Sequence, residues 1–357
     1  MNSASTGKKV AVGMSGGVDS SVAAALLKER GYEVFGIMLR LWSEEGMDNR
    51  CCTRDALADA RYTAGLLDIP FYAVDAKEAF RTTVVESFLE GYLLGVTPNP
   101  CLVCNRRIRW GYMLKRAAAL GADFLATGHY ARIRRGREKP VQLLRGIDQT
   151  KDQSYVLYSL DQTTLSQTLL PLGKFTKDQV RKLAEDFDLP AAERPDSQDL
   201  CFVGDEDYRT FLARQAPEVF HPGPILTSGG EHLGQHPGLA FFTIGQRKGL
   251  GISPERPHYV MEKDLAANAL IVGEKEQLGK NLFSAQQVNW IAGSPPAEHF
   301  RAQIQIRYRA PEAAGEIQLL EGNRVEVQVD QPLADITPGQ AAVFYQGQIC
   351  LGGGIIE

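Results

Sequence analysis

Two kinds of feature in this chain have residue types and spacing suited to chemistry: three cysteines and one glycine-rich turn. Cys101 and Cys104 form a C-x-x-C pair within TPNPCLVCN, and Cys201 lies in the polar segment DSQDLCF. In a cytosolic protein such a pair is typical of metal binding or redox chemistry. No second C-x-x-C and no nearby pair of histidines completes a zinc site. Thiol chemistry, another metal site and a pair of loop cysteines without a chemical role therefore stay open.

Cys104 and Cys201 together could transfer sulfur. Cys104 is expected one or two residues before a helix at 106–120, where the helix dipole favours a thiolate. A persulfide on one cysteine can attack an activated substrate, and a second cysteine can then release the sulfur by forming a disulfide. Because a lone cysteine is more often a small apolar residue, a role for Cys201 depends on this pairing.

The glycine-rich turn is GMSGGVDSS, from Gly13 to Ser21. It follows a predicted strand at 9–12 and precedes a predicted helix at 21–30 that ends at Gly31. Glycines let the backbone approach a ligand closely, and the free N–H groups of a helix start favour a phosphate. Neither the G-x-x-x-x-G-K-[ST] nor the G-x-G-x-x-G pattern is present. The alternative is an ordinary glycine-rich turn between strand and helix.

The S-G-G-x-D-S pattern of this turn resembles the pyrophosphate loop of the N-type ATP pyrophosphatases. Those enzymes split ATP between the α- and β-phosphates and transfer AMP to a substrate oxygen. The resemblance implies that Ser15, Gly16, Gly17 and Ser20 hold the pyrophosphate and that Asp19 assists Mg²⁺. The loop residues expected to bind ATP are Gly13, Met14, Ser15, Gly16, Gly17, Val18, Asp19 and Ser20.

The elements around these motifs predict an α/β domain. Strands are predicted at 9–12, 32–39, 71–75 and 123–127, and they alternate with helices at 21–30, 54–67, 77–94 and 106–120. This alternation indicates a mostly parallel sheet covered on both faces. Ligands of such sheets bind at the carboxyl ends of the strands. The glycine-rich turn and the segment 127–129 both follow strands there. A further helix is predicted at 176–188.

The second half of the chain is predicted to be rich in β-structure. Prolines and glycines divide it into short segments after about residue 211, and strict alternation follows at 303–308 and 325–329. Alternation with a period of two indicates half-buried antiparallel strands. We therefore expect a catalytic domain at 1–210, a small β-rich central domain at 211–280, and a C-terminal antiparallel β-barrel at 281–357.

Composition narrows the classes of function. The chain has 357 residues and a net charge of −4, which alone argues weakly against a polyanionic partner. Basic residues nevertheless cluster at 106–109, 132–139, 247–248 and 307–309, as expected for contact with a phosphate backbone. No apolar run is long enough to span a membrane, and the first residues carry no export signal. These features predict a cytoplasmic protein without a membrane partner.

Longer motifs make the resemblance more specific. The segments GMSGGVDSS, TPNPCLVCNRRIRW, ATGHYAR, KDQSYVLY, DSQDLCFVG, TIGQRKGLGI, TPGQAAVFY and CLGGGII are similar to those of the tRNA-specific 2-thiouridylase family, from about residue 8 to the C-terminus. Members adenylate the C2 oxygen of the wobble uridine, position 34, in tRNAs for Lys, Glu and Gln. They then replace that oxygen with sulfur relayed as a cysteine persulfide from a donor protein.

The resemblance assigns roles residue by residue. Cys104 would be the nucleophile that completes sulfur release, Cys201 would carry the persulfide, and Leu39 and Gly128 would touch the nucleotide. Leu39 replaces a methionine common in the family, which a backbone contact would tolerate. The residues expected to meet tRNA or the target base are Asn99, Pro100, Cys101, His129, Lys151, Asp152, Gln153, Arg307, Tyr308 and Gln340.

Cys101 departs from the family, because many members have Asp at this position. Members with C-x-x-C resemble sulfur-transfer enzymes that hold a 4Fe–4S cluster by three cysteines. Here those would be Cys101, Cys104 and Cys201, and sulfur delivery from the cluster would replace the persulfide relay. ATP and Mg²⁺ are thus the expected cofactors, with the cluster as the alternative, and a persulfide or sulfide donor is the expected protein partner.

Two other functions compete with this interpretation. Another ATP pyrophosphatase, such as a lysidine-type or amidotransferase ligase, would leave Cys104 and Cys201 without a role. A non-catalytic tRNA-binding or iron–sulfur regulatory protein would leave the glycine-rich turn unused. Of the remaining cysteines, Cys51 and Cys52 are expected to be structural or incidental, and Cys350 is expected to lie in the core, in a predicted strand.

Overall fold

The computed structural model describes residues 7–42, 54–137, 139–190, 200–203, 207–252 and 257–357. Cys51 and Cys52, which we expect to be structural or incidental, lie outside the described residues. Within the described ranges, the strands are β1 (Lys9–Gly13), β2 (Glu33–Arg40), β3 (Phe71–Asp75), β4 (Phe124–Ala126), β5 (Ala131–Arg134), β6 (Gln142–Arg145), β7 (Thr168–Leu169), β8 (Gly223–Thr227), β9 (His232–His236), β10 (Tyr259–Asp264), β11 (Ala269–Gly273), β12 (Lys280–Trp290), β13 (His299–Gln305), β14 (Ala313–Leu320), β15 (Arg324–Leu333), β16 (Ala341–Gln346) and β17 (Ile349–Ile356).

The helices lie mainly in the first half of the chain. They are α1 (Val18–Glu29), α2 (Arg54–Leu66), α3 (Lys77–Phe80), α4 (Glu86–Leu93), α5 (Pro100–Val103), α6 (Leu114–Ala119), α7 (Gln162–Ser166), α8 (Lys177–Asp186) and α9 (Tyr208–Gln215). Two π-helical segments, Arg81–Val85 and Cys104–Met113, join α3 to α4 and α5 to α6. Each joined run is a continuous helical rod, and π-turns of this kind are frequent at functional sites.

The first sheet has five parallel strands in the order β3-β2-β1-β4-β7. Strand β1 lies in its centre, since Val12 is paired with Gly36 of β2 on one side and with Ala126 of β4 on the other. This arrangement confirms the predicted parallel sheet. The two-residue strand β7 pairs with β4 at the far edge and was too short to be predicted from periodicity.

Different helices cover the two faces of this sheet. Successive residues of a strand point to opposite faces. Val10 and Val12 accordingly pack in a buried cluster with α1, α2 and α8, while Ala11 packs in a second cluster with the two helical rods that contain α3 to α6. The sheet is therefore buried on both sides, as βαβ connections require.

The cysteine helix, residues 100–119, begins earlier than predicted. We expect a loop at 95–105 and a helix from residue 106, but α5 already begins at Pro100. The Asn99 side chain caps it by accepting a hydrogen bond of 3.1 Å from the Cys101 N–H. Asn at the N-cap followed by Pro at the first helical position is a favoured helix start. Cys104 therefore lies inside the helix, and not before it.

The central region forms a small sheet in the order β10-β11-β8-β9. Strand β11 runs parallel to β8, and the other two pairings are antiparallel. This sheet confirms the expected β-rich middle part of the chain.

The C-terminal part is a closed antiparallel barrel. Strands β12, β15, β14, β13, β16 and β17 are neighbours in that order, and a pairing between β12 and β17 closes the ring. Val325, Val327 and Val329 of β15 point into its core and are buried, which confirms the predicted alternation. Strand β17 also pairs with β6 through Ile349 and Cys350. The hairpin β5–β6 thus extends the barrel sheet, although the sequence pattern places it in the first domain.

One predicted strand is shorter than its alternation suggests. The pattern extends a strand to Arg309, with Arg307 and Arg309 on its polar face, but β13 ends at Gln305. Ile304 is paired with Ala313 of β14, so residues 306–312 form the connection between these strands. Arg309 adopts a positive φ of 64° there, a conformation typical of turns.

No helix in the described part of the chain has the length and apolar character needed to cross a membrane.

Candidate active site

The glycine-rich turn closes on itself at the carboxyl end of β1. The Ser15 N–H donates to Ser20 Oγ at 3.2 Å, and that hydroxyl donates to the Gly17 carbonyl at 3.0 Å. Gly17 caps α1, whose first N–H groups have no partner within the helix. The side chains of Met14 and Val18 are buried in the core, so only their backbone groups can face a ligand.

Gly16 is required by the shape of this turn. Its φ is +77°, and a Cβ at this position would lie 2.6 Å from the Ala56 carbonyl oxygen of α2. Side chains rarely adopt this φ, and a backbone atom cannot move out of the way at low cost. The glycine therefore allows α2 to pack directly against the loop.

The loop is closed from the other side by the segment that follows β4. A Cβ on Gly128 would lie 2.9 Å from the backbone carbon and the Cβ of Asp19. Gly13 faces the side chains of Met113 and Thr127, and Leu39 is buried near the end of the neighbouring strand β2. The predicted nucleotide-binding positions are thus gathered at one edge of the sheet.

Asp19 has two partners that the sequence pattern did not reveal. Lys177 Nζ donates to its carboxylate oxygens at 2.8 and 3.0 Å, and the Tyr130 hydroxyl donates to Oδ1 at 2.7 Å. The Lys177 side chain is 9% exposed, and that of Asp19 is 35% exposed. Lys177 is the first residue of α8, where Thr176 and Gln179 form a capping box. No sequence motif links it to the loop, so only the fold reveals this contact.

The carboxylate of Asp19 is chemically suited to Mg²⁺. Mg²⁺ is usually held by one or two carboxylates together with substrate phosphates, and not by a cage of protein ligands. Asp19 fits that mode because it is partly open and lies in the first turn of α1. When bound, the ion would neutralise phosphate charge, and Asp19 would be the residue that holds it.

His129 connects the loop to the cysteine helix. Its Nδ1 shares a hydrogen bond of 2.8 Å with Thr127 Oγ1, and its ring lies 5.4 Å from that of Trp110. Burial, and secondly the charge of Arg109, hold the pKa of His129 well below its usual 6.5. Its imidazole is therefore neutral at pH 7, and it can shape the site without adding charge.

Cys101 and Cys104 lie on the first turns of the cysteine helix with different surroundings. Cys101 is exposed, whereas Cys104 is buried at 9% exposure against the core. Pro100, which is also buried, begins the helix, and Asn105 donates to the Val156 carbonyl at 3.1 Å. The helix is thus fixed at its start, with one thiol directed to solvent and one to the interior.

Tyr308 marks a point where several predicted RNA-contacting segments meet. Burial is the main cause of its raised pKa, and the nearby groups of Asp152 and Cys101 add to it. Its ring also lies 6.1 Å from that of Tyr155. The turn after β13, the segment around Asp152 and the start of the cysteine helix therefore lie within electrostatic range of each other.

Several predicted RNA-contacting side chains form hydrogen bonds within the protein. Asp152 accepts from the Gly146 N–H at 2.8 Å and from the Ser154 hydroxyl at 2.8 Å. Gln153 accepts from the Tyr130 N–H at 2.9 Å, which ties this segment to the partner of Asp19. These bonds hold the side chains of Asp152 and Gln153 in place. A role in RNA contact stays a prediction for Asp152, Gln153 and the half-buried Lys151.

Arg307 and Gln340 connect the barrel to the rest of the molecule. Arg307 donates to the Ile244 carbonyl at 3.1 Å and to the Thr337 hydroxyl. Gln340 donates to the Thr97 carbonyl at 2.8 Å, just before the cysteine helix. These two side chains therefore position neighbouring segments, and their contact with tRNA stays a prediction.

A cleft of about 780 Å³ opens beside Arg309, the residue that follows Tyr308. Its lining includes Lys151 and Asp152 on one side and Arg309 and Glu312 on the other. The cleft lies between the first domain and the barrel, on the face where Lys151 and Tyr308 are expected to meet RNA. Cations and carboxylates of this kind can bind phosphates and base edges.

Cys201 is half-buried beside an aromatic anchor. The adjacent Phe202 packs edge to face with Phe80, Phe88 and Phe211 at ring distances of 5.2 to 5.9 Å. Cys201 packs against the same core. Burying Phe202 contributes on the order of 1.5–3 kcal/mol, which stabilises the packing of this short segment against the first domain.

The three cysteines do not form the donor set of a cluster. Cys101 is exposed, Cys201 is half-buried and Cys104 is buried. Within the described ranges, no group of three or more His, Cys, Asp or Glu side chains is placed to hold a metal ion. Three thiolates must converge to bind a 4Fe–4S cluster, so this arrangement does not fit one. Cys350 is buried with a pKa raised to about 12 by burial, which confirms it as a core residue.

The fold and the loop together define a class. A five-stranded parallel sheet with the S-G-G-x-D-S turn between β1 and α1, followed by a central β domain and a closed barrel, is the architecture of a PP-loop ATP pyrophosphatase with appended β domains.

Comparison with known proteins narrows this class. Family models described as the tRNA methyl transferase HUP domain, PRC-barrel domain and aminomethyltransferase β-barrel domain match residues 8–205, 209–274 and 280–356. The chain is 49% identical to a tRNA-specific 2-thiouridylase MnmA of Moorella thermoacetica over 97% of its own length and 98% of that protein's. It is 47% identical, with the same coverage, to the protein of that name from Chloroflexus aggregans. The chain belongs to the tRNA-specific 2-thiouridylase MnmA family.

Solved structures give a weaker likeness. A 4-thiouridine synthetase in complex with RNA and bound ATP aligns with 59% of this chain and 51% of its own, at a TM-score of 0.38 and 16% identity. Two of the three domain descriptions and the relatives' names mention tRNA, but the descriptions name a methyl transferase and the relatives a 2-thiouridylase. Because the relatives match along nearly the whole chain, their name identifies the enzyme as a tRNA sulfurtransferase.

Proposed function

We propose that this chain uses ATP and Mg²⁺ to convert the wobble uridine, position 34, of tRNAs for Lys, Glu and Gln into 2-thiouridine in the cytoplasm. The observation that carries the proposal is the physical continuity between the two halves of the site. Gly128 lies against Asp19, and the next residue, His129, packs on Trp110 of the cysteine helix. ATP activation and thiol chemistry therefore belong to one connected site.

The first step is adenylation of the base. The C2 oxygen of the uridine attacks the α-phosphorus of ATP, the bond to the bridging oxygen breaks, and pyrophosphate leaves. The glycine-rich turn and the start of α1 offer N–H groups to the phosphates, and Asp19 offers a carboxylate to the metal. Adenylation turns a poor leaving group at C2 into AMP.

The second step transfers sulfur. The terminal sulfur of a persulfide on Cys201, supplied by a donor protein, attacks C2, and AMP leaves. The thiolate of Cys104 then attacks the Cys201 sulfur, which forms a Cys104–Cys201 disulfide and leaves the outer sulfur on the base as 2-thiouridine. An external thiol must reduce the disulfide before the next turnover.

The base must leave its stack to reach this site. The ring of Tyr308, half-buried beside Asp152 and Cys101, offers a surface where bases can stack. Asn99, Pro100 and Cys101 then meet the target base at the start of the cysteine helix, while Lys151 and the cleft residue Arg309 hold the phosphate backbone. His129 and Gln340 shape the recognition of the base by fixing the segments around it.

Sulfur incorporation into unmodified tRNA tests the proposal. We expect Cys104→Ser and Cys201→Ser each to abolish it, with ATP–pyrophosphate exchange retained in the presence of tRNA. Cys350→Ala, in the barrel core, serves as the control for loss of a thiol. Full activity of either serine variant would refute the role assigned to that cysteine.

A further inference from the structure

Arg145, the last residue of β6, is a buried cation in the wall of the cleft beside Arg309. Its side chain is 10% exposed, and its Nη1 donates to Asp152 Oδ2 at 3.2 Å. Its Nη2 lies 2.6 Å from Glu312 Oε1 but has no hydrogen-bond partner among the described residues. The contact with Glu312 is therefore an ion pair that lacks the alignment of a hydrogen bond, which leaves the donors of Nη2 for another acceptor.

The guanidinium group of Arg145 is held in place by groups other than Glu312. Its central carbon lies 3.5 Å from the centre of the Tyr345 ring, where the face of the ring attracts a cation. Asp152 is fixed in turn, because it accepts a hydrogen bond of 2.8 Å from the Ser154 hydroxyl. Arg145 therefore keeps its position and one carboxylate partner if Glu312 moves away.

Glu312 is the more exposed of the two carboxylates that pair with Arg145. Its side chain is 37% exposed, against 8% for Asp152. It is the last residue of the connection 306–312, directly before β14 begins at Ala313. The bonds of a glutamate side chain rotate between separate rotamers, so its carboxylate can leave Arg145 without any movement of the backbone.

The Glu312 carboxylate has the chemistry of the ligand that the cleft is expected to bind. A carboxylate and a phosphodiester each offer two oxygens to the paired N–H donors of an arginine. Both are negatively charged, so they cannot share one guanidinium group without repelling each other. A phosphate that reaches Arg145 must therefore displace Glu312.

We infer that Arg145 forms a phosphate subsite in this cleft, and that the Glu312 carboxylate covers the subsite until a phosphate of the RNA backbone takes its place. The inference rests on the proposed function for the identity of the RNA. It assigns to Arg145 a contact with substrate and to Glu312 a competing contact within the protein. Removal of the Glu312 charge should therefore strengthen the binding of tRNA.

Equilibrium binding of an unmodified transcript of a tRNA for Lys, without ATP and at one fixed salt concentration, tests the inference. Glu312→Gln removes the charge of the carboxylate and keeps the size of the side chain. If the carboxylate competes with a phosphate for Arg145, this variant binds tRNA at least threefold more tightly than wild type. Glu326→Gln, at an exposed glutamate of β15, removes one negative charge elsewhere on the barrel and should change the affinity by less than twofold.

A purely structural role of the ion pair predicts another result. If Glu312 only holds the connection 306–312 in place, Glu312→Gln binds tRNA no more tightly than wild type, and that result overturns the inference. An equal gain in Glu312→Gln and Glu326→Gln also overturns it, because the effect would then come from net charge alone.

The background Arg145→Lys tests whether the gain depends on the guanidinium group. Lysine keeps a cation beside Asp152 and loses the second pair of donors. We expect Glu312→Gln to change tRNA affinity by less than 1.5-fold in this background, and a full threefold gain there would contradict the role of Arg145. Thermal unfolding shows whether each variant is folded. If Arg145→Lys is not, the comparison of Glu312→Gln with Glu326→Gln decides.

This binding measurement does not depend on sulfur transfer. Unchanged tRNA affinity in Glu312→Gln, with intact thiolation by wild type, would overturn the inference and leave the proposed function standing. Tighter binding by Glu312→Gln, with no thiolation by wild type, would support the inference and contradict the proposed function.

Discussion

The side-chain amide of Gln340 donates a hydrogen bond of 2.8 Å to the carbonyl oxygen of Thr97. The Thr97 N–H in turn donates to the Pro338 carbonyl at 2.9 Å. A Cβ on Gly339 would lie 3.0 to 3.1 Å from the Thr97 backbone. Residues 338–340 of the barrel domain thus hydrogen-bond to the segment that leads into the cysteine helix. These bonds connect the C-terminal domain to the part of the site that carries the thiols.

Loss of the Gln340 amide should affect sulfur transfer and not nucleotide binding. Gln340→Ala leaves the Thr97 carbonyl without this donor, which costs about 0.5–1.5 kcal/mol. We expect a several-fold lower rate of tRNA thiolation and unchanged affinity for ATP. Gln346→Ala, an exposed glutamine of β16, is the matched control. An equal loss of ATP affinity would contradict this division of the site.

Gly128 should tolerate no side chain. In Gly128→Ala the new Cβ would lie 2.9 Å from Asp19, so α1 or the segment after β4 must shift. We expect at least tenfold weaker ATP binding, measured by titration. Gly65→Ala is the control, because a Cβ there meets no atom within 4 Å and alanine favours a helix by about 0.5–1 kcal/mol. Wild-type ATP binding by Gly128→Ala would show that this contact does not shape the loop.

The cap of the cysteine helix should matter for catalysis as well as for stability. Asn99→Ala removes the acceptor of the Cys101 N–H and should lower the free energy of unfolding by about 1 kcal/mol. We expect thiolation to fall with it, because both thiols lie on the first turns. Asp161→Ala removes the cap of α7, which binds the Thr164 N–H at 2.8 Å. It should cost similar stability and leave thiolation unchanged; equal thiolation by the two variants would argue against a site role for the cap.

His129 should make the protein less stable in mild acid. Burial holds the pKa of His129 well below its usual 6.5, so below pH 6.5 the unfolded chain binds a proton that the folded protein does not. The contribution of neutral His129 to the free energy of unfolding is fully present above that pH and is lost as the pH falls. The loss amounts to about 1.4 kcal/mol between pH 7.5 and 5.5.

Denaturant unfolding at the two pH values measures this effect. In His129→Gln the part of the pH dependence due to this residue should disappear. His232→Gln, at an exposed histidine of β9, should keep the wild-type difference between the two pH values. An unchanged difference in His129→Gln would mean that His129 is not the group responsible.

Patterns over a few neighbouring residues correctly predicted the glycine-rich turn, the parallel sheet and the core of the barrel. The turn from Gly13 to Ser21 could be placed between a strand and a helix because glycines, serines and the helical spacing of apolar residues are signals that span only a few residues. The alternation of strands and helices likewise placed the turn and Gly128 at one edge of the sheet. The barrel core at 325–329 followed from strict alternation.

Contacts between distant segments could not be predicted in this way. Lys177 and Asp19 are 158 positions apart, and neither residue signals the other in the sequence. The pairing of β6 with β17 joins residues that are still further apart in the sequence, and it connects two domains. The early start of the cysteine helix was signalled by Asn99 and Pro100, but two prolines within three residues favoured a loop interpretation.

The central claim is that adenylation by the loop at Asp19 and sulfur delivery by the cysteines occur on one uridine. Purified protein with ATP, Mg²⁺, a persulfide donor and unmodified tRNA can be followed by mass spectrometry of the nucleosides together with the nucleotide products. The account predicts one AMP and one pyrophosphate for each 2-thiouridine formed at position 34. Formation of ADP, or of 2-thiouridine without pyrophosphate release, would contradict it.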